Sequence, residues 1–211
     1  MKELTYSIIF YITGMLMLSF GVTMLIKSEL GVGAWDALFY GLYDLIGLTV
    51  GSWILIVGIA LMIINSFLLK RRIDYAAVIT IFLIGVFIDF WILIVFPEFA
   101  VTTLAMRSLL LVIGVIFMGA GIGAYLQFDF AKNPIDNLMM AVHYRTGWSL
   151  AVSKSSLEVL IMMIAFIIGG PIGIGTFIIA LGIGVFVQFF FKRFEKLKAW
   201  FVHGKTTPQK A

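Results

Sequence analysis

Four acidic side chains of this 211-residue chain fall inside or beside apolar runs: Asp36, Asp89, Asp136 and Glu158. A carboxylate at membrane depth costs several kcal/mol unless it is paired or hydrated, so one retained there is a candidate for binding a solute or carrying a proton. Two of the four form an echo. Asp36 stands in GVGAWDALFYGLYD (31–44) and Asp136 in AKNPIDNLMMAVHY (131–144), 100 residues apart. Each opens a short amphipathic helix. In the first, Trp35, Leu38, Phe39, Leu42, Leu45 and Ile46 share a face opposite Asp36, Tyr40, Tyr43 and Asp44. In the second, Ile135, Leu138, Met139 and Val142 oppose Asp136, His143 and Tyr144.

Such a helix is roughly 18–20 Å long, too short for a hydrocarbon core of about 30 Å. It either lies in the interface or dips in as a half-helix. NPID reads as a helix start, with Asn133 as N-cap, Pro134 at the first helical position and Asp136 in the first turn. Gly31 and Gly33 stand in the cap's place in the first copy. Unpaired N–H groups and the positive end of the helix dipole meet there. Gly31, Gly33, Trp35, Asp36, Asn133, Pro134 and Asp136 are therefore the candidate solute-binding residues. Capping alone also accounts for an acid in the first turn, at about 0.3–1 kcal/mol, and both readings stay open.

Asp89, Glu158 and Gln188 are the remaining intramembrane polar or coupling candidates. Asp89 sits in IGVFIDF (84–90), and Gln188 takes its place in IGVFVQF (183–189). Asp89 is either a proton- or substrate-linked carboxylate or a protonated, interface-facing one. Glu158 follows Lys154 by one helical turn, where an i,i+4 pair is the plain reading. Asn65 and Ser66 are expected at helix–helix contacts, and glycines 14, 21, 114, 119, 121 and 123 at close helix crossings. Enzyme signatures fail: GWSL (147–150) lacks the last glycine of a GxSG site, and GVGAWD is not GxGD. His143 and His203 are isolated and cysteine is absent, so no enzymatic activity, metal or cofactor is expected.

The elements that carry these residues read as transmembrane helices. The chain is 62% hydrophobic and 12% charged, with a mean hydropathy of +1.11, against about 25% charged in a soluble domain. Apolar runs cover about 6–26, 50–69, 75–96, 107–127, 155–170 and 172–191, each near the length of roughly 20 residues that a span needs. The first is too long for a cleaved signal and reads as a retained anchor. The net charge of +4 gathers at membrane edges, in Lys70, Arg71, Arg72 and in the basic C-terminal segment. That is not a nucleic-acid pattern. Six spans put both clusters on one side, taken as cytoplasmic together with both termini. The setting is a bacterial plasma membrane.

At the offset of 100, Gly14 matches Gly114, Gly21 matches Gly121, Leu38 matches Leu138 and Gly47 matches Gly147. Glu29 meets Asp129 and Thr49 meets Ser149; IGVF recurs at an offset of 99. The chain thus reads as an all-α polytopic membrane protein. Its expected parts are a three-span repeat at 1–100, a second at 101–191 and a basic tail at 192–211. Each repeat carries a short helix after its first span. An odd number of spans inserts the second repeat upside down, the inverted architecture common among secondary transporters.

SELGVGAWDALFYGL with GLTVG, KNPIDNLMMAV, GWS and GGPIGIGT resemble the YczE/YyaS/YitT family of bacterial integral membrane proteins, over nearly the whole chain. The likeness is greatest to the short YczE-like branch, since only a basic stub follows Phe191. Some relatives are classed as exporters of small molecules, an antibiotic among them, so the resemblance implies export without naming a substrate. The expected function is transport of a small organic solute by alternating access, with the lipid bilayer as surroundings. A second copy or a membrane partner protein stays open as a further partner. The alternatives are a non-transporting assembly or regulatory partner and a substrate-binding subunit of a larger transporter.

Overall fold

The structure is a computed structural model that describes residues 2–128 and 133–203. Asp129, Lys132 and the chain beyond His203 lie outside the described residues, as do the side chains of Ala151 and His203. The described residues form helices joined by short turns, with no strand among them. The helices are α1 (Lys2–Ser28), α2 (Ala34–Ile46), α3 (Val50–Leu69), α4 (Ala76–Asp89), α5 (Leu104–Tyr125), α6 (Pro134–Thr146), α7 (Leu150–Ile167) and α8 (Ile174–His203). A π-helical stretch, Phe90–Val95, continues α4. Among the described residues five helices are long and apolar enough to cross a membrane: α1, α3, α4 with its π-helical end, α5 and α8.

Local chemistry sets the helix ends. Thr49, Thr103 and Ser149 accept hydrogen bonds from Ser52, Met106 and Val152 N–H groups at the starts of α3, α5 and α7. Asn133 does the same for Ile135 N, with Pro134 next in line, the start that NPID announced. Gly33 begins α2 without a side-chain cap. Both short helices stop at glycines with positive φ, Gly47 at 92° and Gly147 at 75°, a region costly to residues with a Cβ.

The core is the antiparallel pair of α1 and α5. Cβ atoms added at Gly14 and Gly21 would collide with backbone atoms around Tyr125 and Met118. Those added at Gly121 and Gly114 would meet the backbone around Leu18 and the Leu25 side chain. The crossing therefore depends on four glycines, Gly14 facing Gly121 and Gly21 facing Gly114. Small residues let backbones approach closely enough for dispersion to hold two spans together where no hydrophobic effect acts. A salt bridge of 2.6 Å from Arg107 to Glu29 ties the start of α5 to the end of α1.

The remaining helices exchange partners across this axis. α2 packs on α7 and α6 on α3, while each short helix also touches the long helix that follows it. α4 lies against α1, and α8 against α5. The turn after α1 is locked to the turn before α8: Val32 N donates to Pro171 O (3.2 Å) and Gly175 N to Leu30 O (2.7 Å). Gly31, at φ 108°, leaves room there for Gly173, whose N would lie 2.6 Å from a Cβ at Gly31.

Two features differ from the sequence reading. The apolar face of α2 is not evenly buried: Trp35, Leu38 and Phe39 are in the core, but Leu45 and Ile46 are 64% and 61% exposed. The helix enters the protein by its N-terminal half, so depth along the axis decides burial as much as face does. α8 also runs well past residue 191, where the basic tail was expected to begin. Phe194 packs on Phe10 and Phe201 stacks on Tyr6, at 5.9 and 5.2 Å between ring centroids. Lys198 Nζ donates to Gln127 O at 2.6 Å. The helix continues because one side still has protein to pack against.

Candidate functional site

The N-terminal halves of α2 and α6 are their buried ends: Ala34, Ala37 and Pro134 are almost inaccessible, while residues 44–46 and 144–146 are exposed. Both short helices pack against α7, the helix that carries Glu158. The charge of Glu158 is felt at Asp36, and that of Asp136 at Glu158. Asp36 and Glu158 are half-buried and Asp136 is exposed. The Asp36 carboxylate folds back over its own helix start, where a Cβ at Gly33 would lie 2.9 Å from Oδ2. Lys154 is the cation nearest in electrostatic effect to Glu158, but no salt bridge within 4.0 Å joins them among the described residues. Of the charges around it, Glu158 thus feels Lys154, one turn away, first and Asp136 second.

An aromatic group is linked to one of these acids. Tyr125 of α5 senses both Asp136 and Tyr11 of α1. Tyr11 and Tyr125 meet edge to face at 6.5 Å, and Tyr11 meets Phe128 at 5.7 Å. The Tyr11 hydroxyl is hydrogen-bonded at 2.8 Å to Thr80 of α4, deep in the protein. Three carboxylates, one lysine and two tyrosines suit a solute carrying positive charge, through Coulomb attraction and ring faces. Among the described residues no group of three or more His, Asp or Glu could hold a metal ion.

Of the candidate residues, Asp36, Asp136 and Glu158 share this region, and Gly33, Asn133 and Pro134 shape the two helix starts that lead into it. The Pro134 carbonyl accepts from Asn65 Nδ2 at 2.8 Å, fastening α6 to α3. Gly31 faces the turn before α8, and Trp35 is a core residue, 8% exposed. Asp89 lies apart from the cluster: it accepts from Thr49 Oγ1 (2.6 Å) and from Gly51 N (2.8 Å), closing α4 onto the start of α3. Gln188 is exposed on α8. Tyr11, Thr80 and Tyr125 were missed in sequence. Their signal was a hydroxyl in an apolar run, which marks many buried helix contacts equally well.

Over residues 5–192 the chain matches DUF6198, described as a family of unknown function. It belongs to that family. This DUF6198 protein is 34% identical over 211 residues to the uncharacterized membrane protein YczE of Bacillus subtilis (strain 168), covering all of this chain and 97% of that one. It is 36% identical over 167 residues to the uncharacterized protein YyaS of the same strain, covering 79% and 83% of the two chains. An uncharacterized protein of Haemophilus influenzae is 29% identical over 180 residues, covering 85% and 81%. No solved structure matches. The DUF6198 chain is thus a membrane protein with several apolar helices, as its resemblance to YczE and YyaS implied.

Proposed function

We propose that this protein is a transporter of a small, positively charged organic solute, built as a three-plus-three inverted repeat of six spans in a bacterial plasma membrane, with both termini cytoplasmic. α7, fifth in chain order, completes the six; its 18 residues reach about 27 Å. The reading draws support from the pairing of Gly14 with Gly121 and of Gly21 with Gly114, which a two-fold axis in the membrane plane exchanges. The exchange of α2 onto α7 and α6 onto α3 has the same symmetry.

The observation that carries the proposal is where the symmetry fails. α3 and α4 are closed on each other through Asp89, Thr49 and Gly51. Their counterparts α7 and α8 are apart: Gly184, the equivalent of Gly85, has nothing within 4 Å of an added Cβ, and Gln188 is exposed. A carrier that alternates must hold one such seam closed while the other is open, then exchange them. The open seam lies toward the basic end of the molecule, so the acids around Glu158 face the cytoplasm in this state.

The test uses the absence of native cysteine. The pairs Thr49→Cys/Asp89→Cys and Ser149→Cys/Gln188→Cys report the two seams. In membranes the first should cross-link readily and the second slowly, and each cross-link should stop uptake of organic cations into proteoliposomes. Transport unaffected by both cross-links, or no cation moved under a proton or sodium gradient, overturns the proposal.

A further inference from the structure

Away from the acids, at the end of α3, lies a cavity of about 230 Å³ lined by Asn65, Ser66, Arg71, Arg72, Asp74 and Asn137, with Met62 and Leu69 as its apolar part. The transport proposal does not use it. Two guanidiniums share it with one carboxylate and two amides. Neither arginine has an ion pair within 4.0 Å among the described residues, so their donors are available. Asn65 is 4% exposed; its Nδ2 is spent on Pro134 O, and its Oδ1 has no hydrogen-bond partner. The walls therefore offer charged donors on one side and acceptors, Asn65 Oδ1 and the Asp74 carboxylate, on the other.

We infer that this cavity holds the headgroup of an anionic phospholipid: a phosphodiester bearing hydroxyl donors, of the phosphatidylglycerol type. Guanidinium forks match phosphate oxygens in two-bond geometry, and such charge-assisted bonds are the strong ones. Two arginines against one aspartate leave the cavity a single positive charge. That complements a headgroup of net charge minus one better than a zwitterion or a doubly charged headgroup. The hydroxyls meet the acceptors. The setting favours a lipid over a free phosphate compound: the cavity lies at the end of α3, a span whose outer face, like that of α4, is apolar and open, with Phe67 78% and Ile79 49% exposed. An acyl chain would stay with the surrounding bilayer while its headgroup turned inward to the arginines at the membrane edge.

Thermal unfolding of the detergent-purified protein tests this with short-chain phosphatidylglycerol, phosphatidylethanolamine and phosphatidylcholine, and with glycerol phosphate and inorganic phosphate as lipid-free arms. The phosphatidylglycerol arm should raise Tm in a saturable way, well above the others. Arg71→Gln/Arg72→Gln should weaken that response by about tenfold or more, as loss of charge-assisted hydrogen bonds does. Asn137→Ala, a milder change, should weaken it less. Arg193→Gln/Lys196→Gln, on the other basic segment, should leave it intact. Equal shifts from phosphatidylcholine, an undiminished response in the Arg71/Arg72 variant, or equal loss in the Arg193/Lys196 variant overturns the site. Equal shifts from glycerol phosphate or inorganic phosphate overturn the lipid and leave a free phosphate compound as the ligand.

Discussion

The seam between α3 and α4 and the seam between α7 and α8 are built from related sequences and packed in opposite ways. Both second helices carry IGVF, at 84–87 and 183–186, and both first helices start at a hydroxyl cap, Thr49 or Ser149. In the first seam Gly51 and Gly85 bring the two backbones together, so that a Cβ at Gly85 would lie 2.7 Å from Gly51 O. Asp89 then reaches across to two donors at the start of α3. Just beyond Asp89 the helix loosens into its π-helical stretch, and Trp91 Nε1 donates to Leu16 O of α1 at 3.3 Å. π-helical insertions recur at functional positions. In the second seam the helix runs on unbroken through Gln188, and α8 leans on α5 instead, with Phe186 against Gly119 and Phe190 against Gly123. A shared motif thus supplies a surface able to close, and its partner's position decides whether it does.

The largest effect should come from filling the closed seam. Gly51→Leu places a side chain where a Cβ already lies 2.6 Å from Asp89 Oδ2 and collides with Gly85 O. Overpacking of this kind costs about 1–3 kcal/mol or prevents folding. Gly184→Leu, in open space, should stay within about 0.5 kcal/mol. Size-exclusion profiles after stepwise heating would rank the two, and equal tolerance would erase the contrast. Next comes Asp89→Ala, which leaves the Thr49 hydroxyl and Gly51 N–H without their acceptor, at a cost of about 1–3 kcal/mol. Gln188→Ala should change Tm little. A comparable loss from Gln188→Ala would mean that α8 is held by that side chain in solution.

Smaller still in stability, and larger in function, is Asp36→Asn. As an acid in the first turn of α2, Asp36 contributes about 0.3–1 kcal/mol through the helix dipole, so the variant should fold. Cation uptake should nevertheless be lost, and Asp136→Asn should lose it too, because each carboxylate opens a short helix packed on α7 and is electrostatically linked to Glu158. Full uptake in both variants would reduce the aspartates to helix starts and separate the seams from the binding region.

Much of this was legible in the sequence because it depends on neighbours within one helical turn. The apolar runs located the long helices, Asn133–Pro134 marked the start of α6, and the glycines at 14, 21, 114 and 121 marked close helix crossings, though not which helices meet there. The membrane class follows from composition, and family membership from motifs spread along the chain. The role of Asp89 was not legible. Its partners are 40 and 38 residues away, and an acid in an apolar run reads the same whether it carries a proton or fastens a helix. Nor could the link from Glu158 to the echoed aspartates be read beside its local pairing with Lys154, since it arises only once two short helices pack on α7. The contrast between the seams lay furthest from view. Local energies are nearly equal for equivalent segments, so the crossing of whole helices, which no window of sequence contains, decides which glycine meets a backbone and which faces open space.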